Sequence, residues 1–127
     1  MAPLCELKPH RFVDGEHECE LLLRADLGET ALGAPVAENH VLGIGGASRT
    51  LASIMLKKQY DRVLDIGTGC GVLALIASKH ARSVVATDIS ERALVIAEFN
   101  AVLNDTHSVE FRLGSLFDPI DVSEKFD

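Results

Sequence analysis

Three glycines at alternate positions carry the strongest chemical signal in this sequence. The short apolar run Val63–Ile66 leads directly into G-x-G-x-G at residues 67–71, and a second apolar stretch follows at 72–77. Glycine has no Cβ, so it lets a strand turn sharply into a helix and lets a ligand come close to the backbone. The pattern therefore predicts a nucleotide-type cofactor loop.

The spacing of the glycines discriminates between cofactors. A dinucleotide fingerprint needs its third glycine at position 72, where this chain has Val72. A P-loop needs Gly-Lys-Ser or Gly-Lys-Thr after the loop, and that triplet does not follow. A phosphate cradle is therefore disfavoured. An NAD-binding oxidoreductase stays open as an alternative, as does a non-catalytic module that keeps the fold as an interaction surface.

A carboxylate supplies the second half of the signal. Residues 83–89 form a β-branched run containing Asp88, which follows Gly67 by 21 positions. In doubly wound sheets, an acid about 20 residues beyond the first glycine lies at the end of the second strand and accepts ribose hydroxyls. We therefore predict that Asp88 binds the ribose of the cofactor.

Together, these two motifs resemble those of the Rossmann-like (class I) S-adenosylmethionine-dependent methyltransferases. The matching segments are Leu64-Asp65-Ile66-Gly67-Thr68-Gly69-Cys70-Gly71 and Ala86-Thr87-Asp88-Ile89-Ser90. Within this class the chain looks most like the branch that contains the N5-glutamine methyltransferases of release factors. The resemblance implies S-adenosylmethionine as the cofactor and a protein substrate with a release factor-like glutamine. A nucleic-acid amino group is the alternative acceptor.

The resemblance also assigns roles within the cofactor site. Asp65 would hold the loop or the amino group of the cofactor, and Ile89 and Leu116 would pack against the adenine. The family usually has an acid after the third strand to accept from the adenine amino group, and this chain has Ser115 there. The predicted cofactor-binding residues are Asp65, Gly67, Thr68, Gly69, Gly71, Asp88, Ile89, Ser115 and Leu116.

A second glycine-rich stretch precedes the first predicted strand of the sheet. The resemblance implies that Gly45, Gly46 and Ser48 lie over the methionine end of the cofactor, and the turn chemistry of a helix start explains them equally well. His40 stands beside this stretch, where a lone histidine next to an apolar run is more often structural than a catalytic base. Cys70 is expected to fill space under the loop instead of acting as a nucleophile.

Apolar periodicity around the motifs predicts an α/β fold. Two strand–helix–strand units in a row imply parallel strands with right-handed crossovers. This is a partial Rossmann-like methyltransferase fold, in which the parallel strands form the middle of a three-layer sandwich. The predicted strands are 62–66, 82–88 and 109–113, and the predicted helices are 49–58, 72–80 and about 91–104.

The first 35 residues have a different pattern. Segments 4–12 and 18–25 are strand-like and flank a turn signal, which predicts an antiparallel β-hairpin. Residues 26–35 form a linker by composition. We therefore divide the chain into a hairpin with its linker, 1–35, and the N-terminal half of an S-adenosylmethionine-binding methyltransferase domain, 36–127.

Composition argues against several classes of function. The 127 residues carry 12 Lys and Arg against 19 Asp and Glu, and the net charge of −7 is unlike a surface that neutralises many phosphates. Three cysteines argue against a disulfide framework and fit a reducing compartment. We see no signal peptide, no apolar run of about 20 residues and no zinc-type spacing. We expect a cytoplasmic protein without a metal or a membrane span.

The acceptor site of the resembled family has no counterpart in this sequence. In that family the fourth strand ends in Asn-Pro-Pro and an aromatic residue, which hold the acceptor nitrogen, and the chain lacks this motif. The resemblance implies a fragment of a larger enzyme, with no catalytic residue of its own. We then expect weak cofactor binding, no turnover, and self-association through the unpaired edge of the strand at 62–66.

Overall fold

The computed structural model describes residues 5–14, 16–55 and 58–127, and these residues form five strands and four helices. The strands are β1 (Cys5–Asp14), β2 (His17–Asp26), β3 (Tyr60–Ile66), β4 (Ala81–Asp88) and β5 (Val109–Leu113). The helices are α1 (Glu29–Leu32), α2 (Gly46–Ile54), α3 (Val72–Ala77) and α4 (Glu91–Leu103). No helix among these residues has the length and apolar character needed to cross a bilayer.

A three-stranded parallel sheet carries the cofactor motifs. Its order is β3-β4-β5, with Ile66 opposite Thr87 and Thr87 opposite Arg112. Helix α3 connects β3 to β4, and α4 connects β4 to β5. The mixed α/β architecture predicted from the sequence is confirmed. Because the carboxyl ends of β3 and β4 are neighbours, the glycine loop and Asp88 meet at one edge of the sheet.

The N-terminal hairpin is also confirmed, and it shares a core with the helices. Strands β1 and β2 pair antiparallel from Cys5 opposite Asp26 onward, while Gly15 of the predicted turn lies outside the described residues. Leu21 and Leu23 alternate along β2 and are 1% and 2% exposed. They belong to the same buried cluster as apolar residues of α3 and α4. The domain boundary at residue 35 stays a prediction.

Two asparagines, Asn100 in α4 and Asn104 at the C-cap of that helix, satisfy the backbone of β2. The side chain of Asn100 accepts from Arg24 N at 2.7 Å and donates to Arg24 O at 2.9 Å. Asn104 pairs with the backbone of Leu22 in the same way, at 2.9 and 2.8 Å. The two asparagines are four residues apart, a rise of about 6 Å along a helix, and Leu22 and Arg24 are two residues apart, about 7 Å along a strand. The similar spacings let each asparagine reach one residue of β2. Asn100 also donates to Cys70 O at 2.8 Å, which ties the hairpin to the glycine loop.

Helix α2 differs from its prediction in bounds and in burial. It runs from Gly46 to Ile54 instead of 49–58, and residues 56–57 of the predicted range lie outside the described part. Leu51 and Ile54 share the apolar face of this helix, yet both are at least half exposed. They line an apolar depression beside β3. In the described residues β3 pairs only with β4, so no further strand covers this face.

The predicted linker contains a single helical turn, α1, which composition did not indicate. Gly33 closes it in the left-handed region, at φ 66°, and Gly33 N donates to Glu29 O at 2.7 Å. Glycine tolerates this conformation because it lacks a Cβ. Two glycines of the predicted linker, Gly28 and Gly33, therefore delimit a short helix.

The segment at the end of the chain lies against the start of β3. Asp127 N donates to Arg62 O at 2.9 Å, and the Asp127 carboxylate accepts from the backbone N–H groups of Asp61 and Arg62. Glu124 bridges Arg62 and Arg112 by ion pairs. The rest of that edge, Val63–Ile66, has no strand partner within the described part of the chain.

Candidate cofactor-binding site

A cleft of about 610 Å³ lies over the carboxyl ends of β3 and β4. One wall, called here the motif wall, consists of residues 67–70, Asp88 and Ser90. A second part of the lining, called here the hairpin wall, consists of Asp26 and residues 38–45. Small-molecule sites commonly measure 300–1,000 Å³, and α/β sheets bind ligands at this edge. The cleft is therefore the candidate site.

The glycine loop forms most of the motif wall. Gly67 and Gly69 have φ angles of 74° and 55°, and a Cβ on either would meet nothing within 4 Å. The loop is held from below, because Gly67 N and Thr68 N both donate to Thr87 O at 2.8 and 2.9 Å. These glycines serve the turn and leave the backbone open to a ligand.

Gly71 has a different role from the other two glycines. Its φ is 88°, and a Cβ would lie 3.0 Å from the Cβ and 3.3 Å from the Cα of Ala97. Gly71 therefore permits α4 to pack closely against the start of α3. It supports the loop from behind and is not among the described residues that line the cleft.

Asp88 is fixed by the elements on both sides of it. One carboxylate oxygen accepts from Gly69 N and the other from Ser90 N, both at 2.9 Å. Ser90 in turn caps α4 by accepting from Ala93 N at 3.2 Å. A carboxylate has about four acceptor positions, so Asp88 keeps capacity for ligand hydroxyls.

Asp65 lies behind the loop. Thr68 Oγ1 donates to Asp65 Oδ2 at 2.7 Å, which locks the turn over three residues. Burial raises the pKa of the Asp65 carboxyl, and the nearby charge of Asp88 raises it further. Asp65 lines the apolar depression beside β3 and is not among the described residues that line the cleft. This position favours the loop-holding role over direct contact with the cofactor.

The residues predicted for the adenine are not brought into the cleft. Ile89 is 75% and Leu116 65% exposed, and Ser115 is exposed as well. They follow β4 and β5, and Gly114 N donates to Asp88 O at 3.0 Å, which joins the two loops. Leu116 has φ 47°, a conformation that is uncommon for a bulky side chain. Their contact with adenine stays a prediction.

Asp26 lines the cleft and Arg92 binds it, and the sequence analysis identified neither residue. Asp26 is buried at the end of β2 and accepts from Val41 N at 2.8 Å. Both Asp26 oxygens accept from the Arg92 guanidinium, with Nη2–Oδ1 at 2.6 Å, and Arg92 lowers the pKa of Asp26. Arg92 Nη1 also donates to Asn39 O at 3.3 Å. The ion pair joins the hairpin wall to the first turn of α4. The local sequence does not predict it, because the two residues are 66 positions apart.

The second glycine-rich stretch was assigned either to the cofactor site or to the start of a helix, and the structure is consistent with both. Gly45 is the N-cap of α2 and lines the cleft together with Ser48, while Gly46 begins the helix.

Cys70 is buried, and burial raises the pKa of its thiol. A thiol that stays protonated is a poor nucleophile, as expected for a residue that fills space.

Solved methyltransferases share this fold. A ribosomal protein L11 methylase from Lactobacillus delbrueckii subsp. bulgaricus superposes with a TM-score of 0.50 at 39% identity, over 55% of this chain and 36% of that chain. A dimethyladenosine transferase from Plasmodium falciparum superposes with a TM-score of 0.57 at 26% identity, over 69% and 31%.

Curated relatives agree with the structural comparison. A release factor glutamine methyltransferase from Aliivibrio fischeri is 46% identical over 67 residues, which are 51% of this chain and 24% of the relative. A ribosomal protein L11 methyltransferase from Caldicellulosiruptor bescii is 48% identical over 90 residues, 67% of this chain and 29% of the relative. The chain thus spans less than a third of the length of either.

A family model for ribosomal protein L11 methyltransferase (PrmA) matches residues 48–127, from α2 through the glycine loop, Asp88 and β5. The match covers more than half of the chain and includes both cofactor motifs. It decides between the two enzyme classes that the glycine spacing left open. The chain belongs to the ribosomal protein L11 methyltransferase family, within the Rossmann-like class I S-adenosylmethionine-dependent methyltransferases.

Proposed function

We propose that this chain binds S-adenosylmethionine in the cleft and forms the cofactor half of an enzyme that methylates a nitrogen of a protein. The carrying observation is that the Asp88 carboxylate accepts from Gly69 N, in a loop where the Cα atoms of Gly67 and Gly69 open onto free space. The cofactor requires a carboxylate to accept from its ribose hydroxyls and a backbone that its other groups can approach closely.

The charges of the cleft suit the cofactor. S-adenosylmethionine carries a positive sulfonium and a positive amino group, and the acids Glu6, Glu38 and Asp88 line the cleft. Opposite charges within a partly enclosed site attract more strongly than in bulk water. When bound, the cofactor supplies an electrophilic methyl group.

The residues of this chain act by orientation. The Thr68–Asp65 hydrogen bond and the two bonds to Thr87 O fix the loop, while Asp88 would hold the ribose hydroxyls. Holding the methyl group in line with an acceptor nitrogen can lower the barrier without any acid, base or nucleophile from the protein. We therefore propose no catalytic side chain among the described residues.

A protein acceptor is favoured by the names of the relatives. The family model and the Caldicellulosiruptor relative are named for ribosomal protein L11, and the Aliivibrio relative for a glutamine of release factor. We propose a glutamine amide or an amino group of such a protein as the acceptor, in the cytoplasm. Transfer of a labelled methyl group by a whole enzyme that contains this cofactor half, to purified L11 and to release factor in parallel, distinguishes the two.

A nucleic-acid amino group is the second candidate, because the dimethyladenosine transferase superposes over 69% of the chain. The net charge of −7 opposes it, since phosphate contacts depend on Lys and Arg. Label incorporated into RNA and into neither protein would select this candidate.

Self-association through the β3 edge remains a proposal, which light scattering over a range of concentrations tests.

Calorimetric titration with S-adenosylhomocysteine tests the cofactor assignment. We expect binding to the wild type, a loss of about tenfold or more in Asp88→Ala, since bonds to a charged group contribute about 1.5–3 kcal/mol, and no competition by NADH. Asp118→Ala is the matched control, because this acid is exposed and outside the cleft lining. Equal affinities in both variants, or displacement by NADH, would contradict the assignment.

A further inference from the structure

A second groove, of about 350 Å³, lies between the hairpin and helix α2 and shares no lining residue with the cofactor cleft. Its lining, called here the basic groove, includes residues 11–13 and His17 of the hairpin and Arg49 and Ser53 of α2. Among the described residues, no acid lines it. Because the chain as a whole has a net charge of −7, this local excess of positive groups marks a place where an anion is favoured.

The charge of Arg49 is not balanced within the described part of the chain. Arg49 lies in the first turn of α2, which contains no acid, and a cation is disfavoured at this end of a helix dipole. Its guanidinium lies 5.5 Å from the ring centre of Phe12 and 3.4 Å from His10 Nδ1. Burial, and then the charge of Arg49, lower the pKa of His10. A carboxylate beside Arg49 would offset these unfavourable contacts.

Arg11 can contribute to the same carboxylate. It binds Glu18 at 2.5 Å, and both side chains are more than half exposed. An exposed ion pair of this kind contributes little to stability, because water screens it. Arg11 can therefore turn toward an anion in the basic groove at small cost.

The basic groove also follows a free backbone edge of β1. Arg24 of β2 uses both its N–H and its C=O on a side chain of α4, so these groups point away from β1. In an antiparallel pair this orientation recurs at every second residue on both strands, and the register then directs the backbone groups of Arg11 and Val13 away from β2. Pro9 occupies an equivalent position, where its missing N–H breaks no bond of the hairpin.

Backbone groups on such an edge can pair with an added strand. In the described residues, no backbone hydrogen bond outside the hairpin engages Arg11 or Val13. The edge and the positive side chains therefore lie along one groove.

We propose that the basic groove binds an extended acidic segment of a partner protein, which pairs with the β1 edge at Arg11 and Val13 and places a carboxylate beside Arg49. In strand addition, main-chain hydrogen bonds give affinity and side-chain contacts give specificity. A nucleic acid has no peptide groups for this edge, and the net charge of −7 opposes it. The inference does not depend on the proposed cofactor, because the groove and the cleft have separate linings.

Titration with synthetic peptides tests the charge. The probe is a peptide of alternating glutamate and threonine, and the control peptide has lysine in place of glutamate. We expect the wild type to bind the acidic peptide and not the basic one. Arg49→Gln should bind the acidic peptide about tenfold more weakly, as for the loss of one hydrogen bond to a charged group.

Arg82→Gln is the matched control variant. It changes the net charge of the chain by the same amount, and Arg82 is exposed, binds Asp61 and is not among the residues that line the basic groove. We expect this variant to bind the acidic peptide as the wild type does. Equal affinities in Arg49→Gln and Arg82→Gln would overturn the proposal.

A third peptide tests the strand addition. Full N-methylation of the acidic peptide keeps its charges and removes its main-chain donors, and we expect this peptide to bind at least tenfold more weakly. Hydrogen exchange at the Arg11 and Val13 amides should slow when the unmodified acidic peptide is bound. Equal affinity for the N-methylated peptide, or unchanged exchange at both amides, would overturn pairing with the β1 edge.

The remaining outcomes concern the occupant and use the wild type alone, so they hold even if a variant unfolds. No binding of the acidic peptide, equal affinity for the basic peptide, or tighter binding of a single-stranded RNA oligonucleotide would overturn an acidic peptide as the occupant. None of these results changes the titration with S-adenosylhomocysteine. Failure of this inference and failure of the proposed function are therefore distinguishable.

Discussion

The two walls of the cleft are specified in different ways. The motif wall depends on short-range contacts, such as the Thr68–Asp65 hydrogen bond over three residues, and on neighbouring strands of one sheet. The hairpin wall depends on contacts between distant residues, such as Arg92 with Asp26, which are 66 positions apart. Changes behind the motif wall should therefore act locally, and changes behind the hairpin wall should act through the packing of the hairpin.

The largest effect is expected where the hairpin meets α4. Asn100→Ala removes three hydrogen bonds of a fully buried side chain and leaves Arg24 N, Arg24 O and Cys70 O without partners. At about 1–3 kcal/mol for each unsatisfied group, with partial relaxation, we expect a loss of about 4 kcal/mol in the free energy of unfolding. Urea denaturation measures it.

Asn104→Ala is the matched control for that experiment. Its side chain pairs with the backbone of Leu22 but is only partly buried, so water can replace it. We expect a loss of about 1 kcal/mol. Equal losses of unfolding free energy in the two variants would contradict the claim that the burial of Asn100 makes its hydrogen bonds more important than those of Asn104.

The glycines of the motif wall provide the next contrast. Gly71→Ala combines a left-handed φ with a contact of 3.0 Å to Ala97, so we expect about 3 kcal/mol of destabilisation from strain and overpacking. Gly69→Ala meets open space and should lose about 1–2 kcal/mol from strain alone. Thermal melts rank the two, and the opposite order would mean that Gly71 does not set the distance between α3 and α4.

The sequence predicted the motif wall far better than the hairpin wall. The glycine loop, Asp88 and the Ser90 cap follow from local spacing, and β5 has the predicted bounds because apolar and polar residues alternate there. The Asp26–Arg92 pair has no such signal, because the two residues meet only after the hairpin has packed on α4. Periodicity likewise gave α2 an apolar face without telling whether anything covers it.

The hairpin wall should respond to acid through Asp26. Arg92 holds the pKa of Asp26 below the ordinary 3.8, so its stabilisation is complete above 3.8 and is lost as pH falls through the folded-state value. Asp26→Asn should lose about 2 kcal/mol at pH 7, and its difference from the wild type should shrink below pH 4. Unfolding at several pH values measures this, and a constant difference would exclude the ion pair as the cause.

The smallest effect is expected behind the glycine loop. Burial raises the pKa of Asp65, so its ionised form destabilises the fold, and Asp65→Asn should gain about 1 kcal/mol at pH 7. The gain should fade as pH falls through the pKa of Asp65, where the wild type becomes neutral. Affinity for S-adenosylhomocysteine separates the two predicted roles: it is kept if Asp65 only holds Thr68, and it falls if the carboxylate binds the cofactor.

Hydrogen–deuterium exchange with and without saturating S-adenosylhomocysteine tests the central claim most directly, because it reports on both walls at once. The account predicts slower exchange in residues 67–70 of the motif wall and in residues 38–45 of the hairpin wall, with β5, whose residues do not line the cleft, unchanged as an internal control. Protection confined to one wall, or exchange unchanged in both, would contradict a cofactor site between them.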